Sequence, residues 1–351
     1  MAVEQELLEA ARAGGLEPAD GEPGGLVVML SGGRDSTCLL DVSQRLLGAG
    51  AIAALHVNYG LREQAGEDER HCSALCESLD IELRVVHAAR PRARGAYAAD
   101  AADGNERATA DGGRAATGNL QAWARDVRYE AAAAMADERD ARFATGHTAS
   151  DQVETILYRL AASPGRRALL GMVAREGRLV RPLLAVTRSQ TADYCRARGL
   201  AWCDDESNED DSFARTRVRS KLVPALRAVH PAAEANVLRT AALLREETDL
   251  LDGLVDAELA GVAEIETARL RELPAALARL VVVRLAEDAA GTYVPQAGAR
   301  VAEILALAER GGRAELHVGG RAGAVIEHGR LRMVKLPERA GGRDREPPRD
   351  D

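Results

Sequence analysis

The sequence predicts an α/β protein: a doubly wound, Rossmann-like parallel sheet, then a helical linker, then a small C-terminal α+β domain. Three observations predict it. Apolar runs of strand length alternate with segments of helical spacing from Leu26 to Leu160, a β-α-β-α-β order that calls for a parallel sheet with helices on both faces. Helical spacing then runs from Ala232 to Leu259 without a proline break. Finally, Ala314–Val318 and Leu331–Val334 alternate apolar and polar residues around glycine turns, the period of half-buried strands.

Composition bounds the class. A chain of 351 residues is long enough for two or three domains, and 46% hydrophobic with 29% charged residues is ordinary for a soluble globular protein. Aromatics make up only 3%, so core volume must come from Leu, Val and Ala. The cysteines, Cys38, Cys72, Cys76, Cys195 and Cys203, are odd in number, scattered and without a CxxC pair, which argues for a reducing compartment and against a disulfide framework or zinc site. The N-terminus is acidic and amphipathic rather than signal-like, and no stretch approaches a membrane span. The cytoplasm is the expected location. A net charge of −9 does not advertise a nucleic-acid binder, so local charge matters more than the sum.

Residues 1–24 read as an extension, a short helix and a Gly/Pro/Asp linker, before a catalytic domain over 25–230. Its first strand, from Leu26, breaks at Ser31-Gly32-Gly33, and helical spacing resumes to Leu47. Glycines lack Cβ atoms, so Gly32 and Gly33 can take φ > 0 and approach a ligand closely, while the N–H groups opening the helix point outward. Such a nest binds phosphate oxygens, although a plain helix entry has the same spacing. The pattern is neither GxxxxGK nor GxGxxG.

Ala51–Val57 is the second strand, ending in HVNYGLR, so that Ser31 and Asn58 both stand at carboxyl ends of strands. Cys72, Leu75, Cys76 and Leu79 recur at helical spacing, which makes these cysteines core packing. Ile81–Val86 is the third strand. Residues 88–118 are rich in Ala, Gly, Asp and Arg without periodicity and read as a mobile surface insertion. Helical spacing restarts over Asn119–Glu138, where Arg125 and Arg128 share one side.

Arg142–Thr145 is the fourth strand. It runs into TGHTASDQVETILYRL, where Val153, Ile156, Leu157 and Leu160 form the expected buried stripe and Asp151, Glu154 and Thr155 face elsewhere. Thr148 and Asp151 suit a helix cap. Equally, His147, Asp151 and Glu154 lie at the carboxyl end of a strand, across the crevice from the glycine loop. From Arg166 to Arg188 there are six arginines, Arg166, Arg167, Arg175, Arg178, Arg181 and Arg188, against the one acid Glu176, a bias suited to a phosphate backbone. Six acids between Asp204 and Asp211 then abut Arg215, Arg217, Arg219 and Lys221. Residues 231–260 read as the linker helix, 267–310 as two helices within a small domain over 261–335, and 336–351 as a disordered tail.

The loop SGGRDS resembles the SGGxDS signature of the PP-loop ATPases, with Ser31, Gly32, Gly33, Asp35 and Ser36 at the matching positions. HVNYGLR resembles the HVNHGLR of one branch, with Tyr59 in place of its second His. GNLQAWARDVRYEAA resembles that branch's N-x-x-x-x-AR-x-x-RY, on Arg125 and Arg128. GHTASDQVET resembles the GHHxDDQxET of the tRNA(Ile)-lysidine synthetases, with Thr148 for the second His and Ser150 for the first Asp, while LLGMVAREGRLVRPLL resembles their GLxGM…RPLL region. The stretch from Trp202 to Pro224 is similar to their W-x-x-D-x-SN and R-N-x-R patterns, with Thr216 for Asn. The likeness runs from about Leu26 to Leu251 and weakly to about residue 335.

The resemblance implies cleavage of ATP between its α and β phosphates to adenylate a substrate. It further implies a ligase that joins the ε-amine of L-lysine to C2 of the wobble cytidine in tRNA(Ile) with a CAU anticodon, giving lysidine, AMP and pyrophosphate and converting the identity of the tRNA from Met to Ile. ATP and Mg²⁺ would be needed, ATP falling to Ser31, Gly32, Gly33, Arg34, Asp35, Ser36 and Asn58. Catalysis would fall to Asp35, His147, Asp151 and Glu154, and the tRNA to Arg125, Arg128, Arg166, Arg167, Arg215, Arg217 and Arg219, with 261–335 as a second tRNA-binding region. Free lysine carries its ammonium at a pKa of about 10.4, so attack needs desolvation or a proton acceptor. Asp151, Glu154 and His147 are the unranked candidates. The partners implied are the tRNA(Ile) anticodon loop and lysine, with no membrane and with a homodimer left open. The alternatives are a PP-loop tRNA thiolase, which needs cysteine or iron–sulfur chemistry, and a catalytically inactive tRNA-binding protein.

Overall fold

The computed structural model describes residues 2–60, 65–88, 114–162, 165–203 and 214–337. Arg62, most of the 88–118 insertion, the acid block Asp204–Asp211 and the 338–351 tail lie outside the described residues. Those residues divide into two compact units, with the boundary between Ala242 and Leu243.

In the first unit, α1 (Ala2–Ala13) precedes β1 (Gly25–Met29), α2 (Arg34–Leu47), β2 (Ile52–Asn58), α3 (Ala65–Ser78), β3 (Glu82–His87), α4 (Arg114–Glu138), β4 (Ala141–Ala144) and α5 (Ala149–Ala162). Short strands β5 (Arg175–Glu176) and β6 (Leu179–Val180) follow, then α6 (Arg188–Arg198), α7 (Ala214–Arg217), a π-helical turn over Val218–Leu222, and α8 (Val223–Val229). The strand order is β3-β2-β1-β4-β6-β5, parallel throughout except for the β5–β6 pair. Side-chain alternation along β1 explains the layers. Leu26 and Val28 join a core with Leu39, Leu40, Leu75 and Tyr194, whereas Val27 and Met29 join one with Met135, Ala136 and Phe143. The sheet is therefore covered on both faces, as the sequence predicts.

Two readings of this unit are corrected. First, α4 begins at Arg114, inside the segment read as patternless to residue 118. Ala and Arg are strong helix formers, so this end needs no apolar stripe to be helical. Second, Val153, Ile156 and Leu157 are buried as the stripe predicts, but Leu160 is exposed and Glu154 and Thr155 are buried as well. The reason is that α5 packs through Val153 and Leu157 on Val218 and Val223, while its other side meets α6 through Arg188.

The N-terminal extension is pinned down by arginines. Arg142, nearly fully buried, donates to the carbonyls of Gly15, Leu16 and Pro23, and Arg175 donates to those of Gly15 and Glu17 and pairs with Glu22.

The helix α9 (Ala233–Leu259) crosses the boundary between the units. In the second unit, β7 (Glu264–Glu266), α10 (Thr267–Glu272), α11 (Ala275–Ala290), α12 (Val301–Arg310), β8 (Ala314–Gly319), β9 (Ala322–Glu327) and β10 (Arg330–Lys335) build an antiparallel sheet of order β7-β10-β9-β8. Three α-helices and a 3₁₀ turn over Pro295–Arg300 replace the two helices expected over 267–310. Pro274 separates α10 from α11 because it cannot continue a helix, and Gly291 ends α11 in the left-handed conformation. Among the described residues no helix is long and apolar enough to cross a membrane.

Candidate active site

In a doubly wound sheet the ligand crevice opens at the carboxyl ends of strands where the strand order reverses. Here that point lies at β1 and β4, and both strands end in glycine-containing turns.

The first turn is laced by its own serines. Ser36 Oγ accepts from the Ser31 N–H at 3.2 Å, lies 3.0 Å from Ser31 Oγ and donates to the Gly33 carbonyl at 2.8 Å. Gly32 takes φ +83°, and its carbonyl accepts from the Cys203 N–H at 2.9 Å. Of the two glycines only Gly32 needs the left-handed region: Gly33 has φ −73° and is the N-cap of α2. A Cβ on Gly33 would meet only Ser31 Oγ, at 3.5 Å, and the Cys203 carbonyl, at 4.0 Å, so the protein leaves room there. No side chain caps α2. A serine-braced loop with an uncapped helix start has the chemistry to receive an anion.

The second turn meets the first. A Cβ on Gly146 would lie 3.0 Å from the backbone of Asp35 and Ser36, so glycine permits the end of β4 to pack directly on the start of α2. Thr145 Oγ1 holds His147 Nδ1 at 2.7 Å. Desolvation, reinforced by Arg181, Arg125 and Arg128 against the pull of Asp151, pushes the pKa of His147 down to about 4. The imidazole is therefore neutral near pH 7 and is a weak base.

Past His147, Asp151 caps α5. Its Oδ2 accepts from the Thr148 N–H and hydroxyl, each at 2.8 Å, and its Oδ1 accepts from Arg188 at 2.5 Å. Desolvation works against the charge on Asp151, yet Arg188, His147 and the Thr148 donors together hold its pKa below the usual value. Glu154 Oε1 accepts from Arg188 at 2.6 Å and from Arg219 at 2.9 Å, the latter delivered by the π-helical turn. Asp35 Oδ1 accepts from the Thr191 hydroxyl at 2.5 Å and from Arg34 at 3.1 Å, and Asp35 Oδ2 lies 3.7 Å from Arg188. Thus one guanidinium joins all three predicted carboxylates, Asp35, Asp151 and Glu154.

Arg188 and Thr191 were missed as site residues. The T-x-x-Q pattern that starts α6 is legible as a capping box, and Thr187 and Gln190 do form one. Nothing local points to carboxylates on α5 and α2. The phosphate reading of the arginine-rich segment is corrected at four positions, because Arg175, Arg178, Arg181 and Arg188 are all paired with protein acids. Asn58 is turned from the nest: its amide donates to Glu69 at 2.7 Å and its oxygen accepts from the Gly60 N–H. Arg125 stacks 4.9 Å over the Tyr129 ring, and Arg128 has a buried Nε without a hydrogen-bond partner. Tyr59 donates to the Ala124 carbonyl and packs edge-on against Trp123, tying α4 to the end of β2. Arg166 and Arg167 lie half-buried on a 3₁₀ turn. Arg215 is exposed on α7, and Arg217 lines a cavity of about 560 Å³ with Tyr158, Val218 and Lys221.

No cluster of three His, Cys, Asp or Glu side chains among the described residues could cage a metal ion. Asp35, on the first turn of α2 beside the nest, is a carboxylate of the kind magnesium takes alongside phosphate oxygens.

Comparison with known proteins adds a family. A model described as a PP-loop domain matches residues 16–226. The tRNA(Ile)-lysidine synthase of Pseudomonas fluorescens is 36% identical over 239 residues, covering 66% of this chain and 48% of that protein. That of Pseudomonas aeruginosa is 38% identical over 248 residues, covering 69% and 49%, and that of Azoarcus sp. is 34% identical over 281 residues, covering 77% and 56%. The chain spans about half the length of these curated relatives. Among solved structures, the U34-tRNA thiolase of Methanococcus maripaludis matches with a TM-score of 0.47 and 16% identity, over 69% of this chain and 79% of that one.

Proposed function

We propose that this chain, which belongs to the PP-loop family, has the activity of a tRNA(Ile)-lysidine synthase, joining L-lysine to C2 of the wobble cytidine at the expense of ATP. The observation that carries this reading is the contact between the two turns. An anion-receptive backbone at Ser31–Ser36 abuts, through Gly146, a cluster of carboxylates suited to an ammonium.

In this reading the cytosine C2 oxygen attacks the α-phosphate of ATP, and the nest holds the departing pyrophosphate with N–H groups already oriented. Magnesium bound with ATP supplies further neutralisation of phosphate charge. Lysine then displaces AMP at C2. Asp151 and Glu154 receive its ammonium and orient the amine rather than acting as free bases, since their oxygens are already hydrogen-bonded, and the proton that the ammonium loses before attack on C2 passes to solvent. His147, neutral, offers a hydrogen bond to the base or to water. A wobble cytidine is unpaired in the anticodon loop, so bringing it into the crevice costs little. Arg125 and Arg128 on α4, with Arg166, Arg167, Arg215 and Arg217, are the cations we assign to tRNA, and the second unit would hold the remainder of the tRNA. Such work belongs in the cytoplasm.

Sulfur transfer is the less favoured reading. A reactive cysteine needs a low pKa and access, whereas Cys38, Cys72, Cys76 and Cys195 are buried, burial raising Cys72 and Cys76 to about 12, and the partly exposed Cys203 beside Gly32 belongs to no CxxC pair. The deciding assay is nucleoside analysis of tRNA(Ile) after incubation with ATP and labelled lysine. Label in a cytidine-derived nucleoside supports the proposal, and sulfur in its place overturns it.

A further inference from the structure

The carboxylates assigned to the lysine ammonium are already occupied. Arg188 gives one Nη to Asp151 and the other to Glu154, and its Nε faces Asp35. With Arg34 on Asp35 and Arg219 on Glu154, these three carboxylates meet three guanidiniums. Among the described contacts the three carboxylates are balanced by the three guanidiniums. Burying an additional ammonium there without releasing a cation would leave an uncompensated charge, which is costly in a partly desolvated site.

Arg188 is the cation placed to leave. It alone bridges Asp151 and Glu154 in the described contacts, it keeps 22% of its side-chain surface in solvent, and it stands on the first turn of α6. The start of that helix is held independently by the Thr187–Gln190 capping box. The side chain can therefore swing out without loosening α6.

We propose that Arg188 is a tethered counter-cation that occupies the ammonium position between Asp151 and Glu154 until lysine displaces it, and that it thereby sets the affinity for lysine. The proposal rests on the reading of Asp151 and Glu154 as ammonium acceptors. Its energetic form is a tax on binding: the apparent affinity is reduced by the fraction of molecules in which the position is vacant.

The test uses the full chain, tRNA(Ile) and ATP, with KM for lysine read from lysine incorporation and the fold checked by a cooperative melt. In Arg188→Ala, KM for lysine should fall about tenfold, the equivalent of ~1.4 kcal/mol of competition removed. Guanidinium chloride at low millimolar concentration should then compete with lysine in the variant but not in the wild type, with sodium chloride of equal ionic strength having no such effect. A structural role would not create a guanidinium-competitive site. Arg188→Lys, whose ammonium can hold one carboxylate but not bridge two, should also lower KM, and it serves if the alanine variant does not fold. A KM that rises or stays unchanged in the folded variants, without guanidinium competition, overturns the proposal. Absence of any lysine product with the wild-type protein overturns the functional reading and this proposal together.

Discussion

Two helices begin at the carboxyl ends of adjacent strands and treat their N-termini in opposite ways. At α2 the N-cap is Gly33, without a side chain to satisfy the first N–H groups. At α5 the same need is met internally, by Thr148 and Asp151, whose hydrogen bonds close the helix start. Both termini carry the partial positive charge of a helix N-terminus. The first keeps it for an external anion. The second neutralises it with a carboxylate and overshoots: Glu154 and the nearby Asp35 add negative charge that guanidiniums must balance. The lesson is that one fold element, repeated on neighbouring strands, is left open or closed by its own carboxylate according to whether its cap is backbone or side chain.

The largest effect should come from filling the open terminus. Gly33→Val adds a branched side chain where the protein has space and a phosphate would lie, so ATP affinity should drop by about a hundredfold or more. Because Gly33 is not in the left-handed region, the melting temperature should hardly change. Nearly unchanged ATP affinity in a calorimetric titration would break the contrast between the two termini.

Next comes the closed terminus. Asp151→Asn keeps an acceptor for the Thr148 N–H, so the cap survives, but it removes the charge that faces Arg188. Lysine incorporation should fall by roughly a hundredfold, the scale of removing one partner of a buried charge pair, with ATP binding retained. Full incorporation would reduce Asp151 to a helix cap.

Removing the brace rather than the cap sharpens the picture. Ser36→Ala deletes the hydroxyl that takes the Ser31 N–H and gives to the Gly33 carbonyl. Each such bond contributes about 1 kcal/mol, so KM for ATP should rise by several fold, up to about tenfold, at unchanged KM for lysine.

The last effect concerns pH and is read in stability rather than in activity. His147 has its folded pKa depressed from 6.5 to about 4. Below 6.5 the unfolded chain takes up a proton that the native site refuses, so stability must decline as pH falls from 6.5 towards 4 and be unaffected above that window. The depressed Asp151 adds a further loss below its ordinary 3.8. Urea midpoints should track this decline, and His147→Gln should flatten the upper part of it. A profile unaltered by that substitution would remove His147 from the crevice.

Much of this protein is written locally. The strand-turn-helix at Leu26–Leu47, the parallel sheet implied by alternating periods, and the packing role of Cys72 and Cys76 follow from spacing and residue type, and the structure agrees. Local pattern also proposes the acids after β4, and the resemblance of SGGRDS to the PP-loop signature proposes the loop serines. Pattern alone cannot tell which glycine is left-handed, because both lack a Cβ and only the docking of Gly32 over Cys72 and against Cys203 decides between them. Nor can it show that Glu154 is buried, since the burial of one helix face depends on what packs against it, here α6 and the π-helical turn. The pairing of Arg188 with Asp35, Asp151 and Glu154 spans wide stretches of chain. Periodicity assigns a side chain to a face of its own element, but the partner of a buried charge is chosen by long-range packing, and only the tertiary structure could make that choice.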